Sequence, residues 1–317
     1  MKKVITIGEI LVEIMATEVG EGFLEPIPLV GPFPSGAPAI FIDQVAKLGQ
    51  PCGMIGCVGA DDFGRVNVDR LARDGADVSA IAVHPELPTG SAFVRYRADG
   101  SRDFVYNIRH SASGAIALTP ATAALVESAD HLHVMGTALS SPALTGMVEA
   151  ALDSLRARGG TVSFDPNLRK EILDAPGIRT ALERVLSQTD LFMPSGDELF
   201  LLTAATDEAG AAGELIARGI RTVVVKKGAK GAVCYEAGGR WEAPGFAVEE
   251  VDPTGAGDTF GAAFVTFWLR GTPPAEALRL ANAAGALAVT RKGPMEGTST
   301  LSELESFLSR QNPKESA

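Results

Sequence analysis

Apolar positions along this chain come in two spacings, short β-branched runs and longer stretches with helical periodicity, and over most of the sequence the two alternate. Val4-Ile5-Thr6-Ile7-Gly8 is a short apolar run closed by glycine, the profile of a buried strand. Ala39 to Leu48 sets Ile42, Val45, Ala46 and Leu48 on one side of a predicted helix, with Gly49 as its stop. Cys52 to Val58 predicts another strand, and Asp61-Asp62-Phe63-Gly64 opens a helix that runs to Arg73. Beyond residue 114, strands are predicted at His131–Met135, Thr161–Phe164, Leu191–Met193, Thr222–Val225 and Ala232–Tyr235. Helical patterns at Ser141–Arg158, Ile178–Ser187 and Asp207–Arg218 lie between most of them. Such alternation predicts an α/β fold, a doubly wound, mostly parallel sheet with helices on both faces. Ligands in such sheets bind beyond the carboxyl ends of the strands.

Two stretches break the alternation. Glu18 to Gly36 is rich in Gly and Pro and predicts loop with a short edge strand. Between Thr89 and Asn107, the strand-like runs Ala92–Arg97 and Arg102–Asn107 flank Ala98-Asp99-Gly100-Ser101, the signature of a β-hairpin. The two stretches are expected to pair as a small sheet outside the main body. The chain then divides into an α/β domain of residues 1–10, 37–87 and 114–317, and a β lid of residues 11–36 and 88–113.

Composition removes several classes of function. The 317 residues are 46% hydrophobic and 21% charged, which describes a soluble globule and not a disordered chain. Lys and Arg number 28 against 39 Asp and Glu, a net charge of −11, and no basic cluster stands out, so no nucleic-acid partner is expected. The uncharged stretch His110 to Val126 contains Pro120 and many Ser, Thr and Gly residues and is no membrane span. Glu9 and Glu13 interrupt the apolar run after Lys2 and Lys3, unlike a signal peptide. Three cysteines without a CxxC motif imply no disulfide framework, and the expectation is a cytoplasmic protein.

The chemistry concentrates in Val251-Asp252-Pro253-Thr254-Gly255-Ala256-Gly257-Asp258-Thr259-Phe260, which leads into a segment apolar on all sides as far as Leu269. A glycine turn at the start of a buried helix exposes unpaired backbone N–H groups at the positive end of the helix dipole, an anion site. Asp258 falls in the first turn. As a bare cap it would need nothing more. Beside a bound anion, a carboxylate makes chemical sense when it takes the proton of a hydroxyl that attacks the anion's phosphorus. The Asp-Pro-Thr before it and the buried helix after it favour that second role.

The segment VDPTGAGDTFGAAF closely resembles the C-terminal signature of the ribokinase-like, or PfkB, family of carbohydrate kinases. The resemblance extends over nearly the whole chain through Ser35-Gly36-Ala37-Pro38-Ala39, Gly56-Cys57-Val58-Gly59, Ser163 to Arg169, Lys226-Lys227-Gly228-Ala229-Lys230-Gly231, Ala281-Asn282-Ala283-Ala284 and Arg291-Lys292-Gly293, all in order. It implies an ATP- and Mg²⁺-dependent kinase acting on a primary hydroxyl of a monosaccharide, with sugar and ATP as its ligands. Asp258 is then the catalytic base, and Gly255, Ala256 and Gly257 form the anion hole for the transferred phosphoryl group. Lys226, Gly228, Gly231, Asn282 and Thr254 line the ATP site. Glu198 corresponds to the Mg²⁺-associated glutamate, acting through water, with Ser195 where the family usually has asparagine. Asp252 and the backbone of Thr254 correspond to a monovalent-cation (K⁺) site of some relatives. Gly36, Ala37, Asn107, Arg109 and Arg169 fall in the sugar region, and the hairpin Thr89–Arg109 corresponds to the family's lid, through which homodimers form.

Within the family the sequence resembles both ketohexose kinases, for tagatose or fructose, and 2-keto-3-deoxygluconate kinases. Ser35, Ile40, Ala92 and Asn107 depart from the usual sugar-site residues, and a neutral ketohexose is the favoured substrate, with the keto acid as alternative. Arg109 stands where the keto-acid kinases carry a carboxylate-binding arginine. A non-catalytic sugar or nucleotide sensor on the same fold is the reading from another class. A nucleoside kinase would call for stacking aromatics in the lid. His131 and His133 share one strand face but lack a third zinc ligand. No GxxxxGK[ST], GxGxxG or GxSxG motif is present, which sets aside P-loop, nicotinamide-dinucleotide and serine-hydrolase chemistry.

Overall fold

Strand β1 (Val4–Ile7) is buried at every position and runs parallel to its two neighbours, so its continuous apolar character follows from having both faces covered. A computed structural model describes residues 1–20, 22–98, 102–168 and 177–311, to which all structural statements refer. The large sheet comprises β1, β4 (Cys52–Gly59), β5 (Ile81–His84), β8 (His131–Met135), β9 (Thr161–Asp165), β10 (Leu191–Phe192), β11 (Thr222–Lys226), β12 (Ala232–Glu236) and β13 (Gly239–Ala243). Their spatial order is β13-β12-β11-β10-β9-β8-β1-β4-β5, and every pairing is parallel except β11–β12 and β12–β13. Order reverses around β1, which has β4 on one side and β8 on the other. That is the crevice where a ligand fits between diverging chain connections.

Each face of this sheet carries its own core. On one lie the helices Ala37–Lys47, Ala256–Leu269, Pro274–Ala288 and Leu301–Gln311, with Phe41, Phe264 and Leu278 fully buried. The other is covered by Pro120–Ser128, Pro142–Ala157, Ile178–Leu186 and Glu208–Ala217, over Phe164 and Phe192. The Ala256–Leu269 helix is buried from Asp258 to Phe267, which explains a sequence apolar on all sides. Among the described residues no helix is long and apolar enough to cross a membrane.

A second sheet has the order β3-β2-β6-β7, from β2 (Leu11–Val19), β3 (Leu29–Ser35), β6 (Gly90–Tyr96) and β7 (Arg102–Asn107). The edge strand expected within Glu18–Gly36 is β3, seven residues long, with loop before it. Pro32 and Pro34 are compatible with β3 because it lies at the sheet edge, where a missing N–H breaks no ladder on the outer side. The turn Asp99-Gly100-Ser101 and the tail from residue 312 lie outside the described residues. His131 and His133 are accounted for within the large sheet. Both rings share hydrogen bonds with the Ser163 hydroxyl on β9, at 2.7 Å each, and His131 also reaches Thr161 at 2.8 Å.

Candidate active site

Functional side chains gather at the carboxyl ends of the parallel strands, as an α/β sheet requires. Asp165 closes β9, Lys226 closes β11, and Glu198 follows β10 in a short 3₁₀ turn, Gly196–Leu202. Lys226 is drawn onto the end of β10 by its backbone N–H, which donates to Pro194 O at 2.9 Å. Its ammonium pairs with Asp165 Oδ2, and both groups are buried. Burial alone favours the neutral amine, but the Asp165 and Glu198 carboxylates hold the Lys226 pKa above its ordinary value. A Cβ added to Gly257 would lie 3.9 Å from Lys226 Nζ, so this cation lies beside the Gly255–Gly257 turn.

The turn itself is set by backbone geometry. Gly255 caps the helix with φ of 78°, a left-handed conformation, and a Cβ there would meet Pro294 O at 2.6 Å. Alanine at this position carries a strain of about 1–2 kcal/mol plus the clash. We expect Gly255→Ala to lower turnover at least tenfold while far-UV circular dichroism is unchanged. Turnover within twofold of wild type would show that the turn tolerates displacement.

Asp258 is buried in the first turn of the same helix, where Asn167 Nδ2 donates to its Oδ1 at 3.2 Å. Asn167 holds a positive φ of 38°, rare for a residue other than glycine, and its N–H donates to Asp165 Oδ1 at 3.2 Å. Burial is the main cause that pushes the Asp258 carboxyl up to about 8, reinforced by Asp165, Glu9 and Glu13 and opposed by Lys226. Glu9 follows β1 and Glu13 lies on β2, so the lid sheet contributes acidic groups to the same cluster. Glu13, Ala92 and Tyr106 lie opposite one another across β2, β6 and β7, and Ser35 Oγ donates to Glu13 Oε1 at 2.8 Å. Gly36 brings the chain back against β1, with φ of 110° and no space for a Cβ, which would meet Glu9 O at 2.5 Å. Ala37 begins the next helix.

Glu198 accepts from the N–H of Leu168 at 2.8 Å and of Ser195 at 2.7 Å, one at each oxygen. Burial, then Asp165, raises its pKa, with Lys226 opposing. Among the described residues no three acidic, His or Cys groups converge to hold a metal directly. The set fits a Mg²⁺ ion carried on nucleotide phosphates, with Glu198 reaching it through water. Asp252 is fully buried: Oδ1 takes the N–H of Thr254 at 3.0 Å and its hydroxyl at 2.7 Å, and Oδ2 takes the N–H of Gly293 at 3.0 Å. Arg102 of the lid stands 3.8 Å from Oδ1, so a side-chain cation lies near this carboxylate.

Several expected ligand residues lie elsewhere. Asn107 and Arg109 are exposed and line a cavity of about 530 Å³ at the lid edge with Asp61, Phe63, Thr89 and Tyr106, without Asp258 or Lys226. By strand alternation Tyr106, not Asn107, shares a face with Glu13. Arg169 lies outside the described residues. Asn282 Nδ2 donates to the carbonyls of Ala243 and Pro244, both at 3.1 Å, and so secures the loop after β13. Gly228 and Gly231 take positive φ angles after β11, and a Cβ on Gly231 would meet Ala243 O. Sequence reasoning assigned no role to Glu9, Glu13, Asp165, Asn167 or Arg102. The signal available was acidic residues inside apolar strands and an Asp-Pro-Asn directly after one.

With the geometry in hand, the comparisons are specific. The profile described as pfkB family carbohydrate kinase matches residues 1–301. A 2-dehydro-3-deoxygluconokinase of Thermoproteus tenax is 31% identical over 315 residues, 97% of this chain and 94% of that one. An Escherichia coli protein provisionally named ribokinase II, solved with ATP and Mg²⁺, is 48% identical with a TM-score of 0.92, covering 98% of this chain and 100% of that one. A double-mutant fructokinase of Vibrio cholerae, solved with fructose, ADP and potassium, is 28% identical with a TM-score of 0.82, covering 97% of this chain and 98% of that one.

Proposed function

Starting from a chain that belongs to the PfkB family of carbohydrate kinases and is a sugar kinase, we propose that it transfers the γ-phosphoryl of ATP to a primary hydroxyl of a neutral ketohexose such as tagatose or fructose. The observation that carries the reading is Asp258, buried beside a glycine-capped helix N-terminus and facing the acidic face of the lid.

Asp258 accepts the hydroxyl proton as the sugar oxygen forms its bond to the γ-phosphorus. The bond from that phosphorus to the bridging oxygen breaks, and ADP leaves with the electron pair. N–H groups of the Gly255–Gly257 turn receive the transferring phosphoryl group, and the Lys226 ammonium beside Gly257 adds positive charge. Glu198 would hold, through water, a Mg²⁺ ion carried on the ATP phosphates, which would supply neutralisation of part of the triphosphate charge. Asn167 orients the Asp258 carboxyl. The lid, residues 11–36 and 88–113, covers the sugar and excludes water. The segments 1–10, 37–87 and 114–317 provide the phosphoryl-transfer frame.

Glu9 and Glu13 support a neutral substrate, because carboxylates accept hydrogen bonds from hydroxyls and repel a sugar acid. The fructose complex of the Vibrio cholerae relative agrees with this choice. A sugar acid such as 2-keto-3-deoxygluconate is the second reading, favoured by the exposed Arg109 guanidinium at the lid-edge cavity and by the Thermoproteus tenax relative. ADP release with Mg-ATP over ketohexoses, ribose, nucleosides and 2-keto-3-deoxygluconate separates the two. We expect kcat/KM for one ketohexose to exceed that for the acid at least tenfold. The reverse order would move the assignment to the acid, and Arg109→Ala would then raise its KM.

A further inference from the structure

We propose that Arg102, on lid strand β7, is a positioning residue that supplies from within the chain the positive charge at the Asp252–Thr254 turn, which makes phosphoryl transfer independent of any monovalent cation. This deepens the kinase reading above, and its kinetic arm rests on it.

Arg102, Phe104 and Tyr106 lie on one face of β7, the face that carries Glu13 and Ala92 on the neighbouring strands. Phe104 and Tyr106 stack at 5.2 Å, and the Arg102 guanidinium lies 5.6 Å above the Phe104 ring. The ring ladder points the guanidinium away from the lid and toward the body of the protein. There Arg102 Nη1 donates to the Thr254 hydroxyl and stands 3.8 Å from Asp252 Oδ1.

Thr254 and Asp252 are the footing of the anion hole. The Asp252 carboxylate gathers Thr254 and Gly293 by three hydrogen bonds, and the left-handed Gly255 follows directly. A buried carboxylate holding a loop needs a counter-charge, and a guanidinium supplies one with directional donors. Asp165, Asp258, Glu9, Glu13 and Glu198 make the surroundings acidic, while Lys226 is engaged by Asp165. An incoming triphosphate meets less repulsion when Asp252 is neutralised.

A second tie fixes the same end of the lid. Lys292 Nζ donates to Ala16 O at 3.4 Å and lies 5.5 Å over the Tyr96 ring, while a Cβ on Gly293 would meet Phe33 of β3 at 2.7 Å. The lid's inner face therefore rests on both chain segments that Asp252 joins. Arg102 does not touch the reacting atoms. It acts through Thr254 and Asp252 on the placement of Gly255.

Two readouts test this. Wild-type turnover with the preferred sugar is measured in potassium, sodium and tetramethylammonium chloride at equal ionic strength, beside Arg102→Ala and Arg102→Lys. We expect wild-type rates within twofold of one another. Arg102→Ala should lose tenfold to a hundredfold in kcat, with sugar KM changed less than threefold. Added guanidinium or potassium ion should restore at least fivefold of that loss, and Arg102→Lys should keep most of the wild-type rate. The second readout needs no turnover: potassium should leave the wild-type unfolding midpoint unchanged and raise that of Arg102→Ala, because only the variant has a vacant site for it. A wild-type rate tenfold higher in potassium than in tetramethylammonium, or potassium stabilising the wild-type protein, overturns the proposal. So does Arg102→Ala with unaltered kcat. Absence of turnover on every sugar would strike the kinase reading and leave the unfolding measurement to decide the cation question.

Discussion

Asp258→Asn is expected to lose about a thousandfold or more in kcat, the scale of a positioned general base, while ATP binding is retained. The same substitution should stabilise the protein. Burial, together with Asp165, Glu9 and Glu13, raises the Asp258 carboxyl from 3.8 to about 8, so the folded state keeps its proton where the unfolded chain has lost it. Between those values the native state binds more protons, and its stability falls as pH rises. At neutral pH that cost is present, and an amide of the same shape removes it. Thermal unfolding at pH 7 should show a midpoint several degrees higher for Asp258→Asn. A loss of rate combined with a gain in stability locates the defect in the chemistry. A variant that is both slow and less stable would mean that Asp258 serves the fold instead. The wild-type pH profile follows from the same group: kcat/KM should rise with pH toward a plateau above about 8, where the free enzyme's base is unprotonated.

Lys226→Met carries the next largest effect, this time on both properties. The substitution leaves Asp165 buried, with 0% of its surface exposed, and without its ammonium partner. Breaking a buried pair by removing one member costs about 3–5 kcal/mol, which lowers the unfolding midpoint by on the order of 10 °C. Turnover should fall at least a hundredfold, because the cation beside Gly257 is lost. A second variant separates the two contributions. Combining Lys226→Met with Asp165→Asn removes both charges, and most of the stability should return while the rate does not. If the double variant regained turnover to within fivefold of wild type, Lys226 would have only a structural role.

The alternation of strands and helices was readable because a parallel sheet with both faces covered makes every strand a continuous apolar run, as in Thr222–Lys226. The glycine turn at the start of the buried helix was readable for a related reason: Gly255 and the all-apolar segment behind it leave a compositional mark that few other arrangements produce. The lid was harder to see. Pro32 and Pro34 marked β3 as an edge strand, but nothing in the local sequence gives its bounds or its pairing with β2. Glu9 and Glu13 looked like interruptions of an apolar run because the groups they act on, the Asp258 carboxyl that both raise and the Ser35 hydroxyl bonded to Glu13, lie far along the chain or on another strand. Asn107 and Tyr106 differ by one position, and period-two alternation gives them opposite faces. Only the register with β6 decides which one turns toward Glu13.

The central pairing of the lid sheet is parallel and joins Val12 to Ser91. A hairpin closes on its own, whereas these two strands are separated by β3, a helix, β4, another helix and β5. The lid can therefore assemble only after the first part of the large sheet has drawn its ends together, since loop closure must precede the contacts that reward it. During synthesis the strand that brings Glu13 to the site waits, unpaired on its β6 side, for the chain to emerge as far as Gly90. Amide protons across β2 and β6 should consequently gain protection later in refolding than those joining β1 to β4, and a circular permutation that severed β2 from β6 would cost this protein its small sheet before its large one.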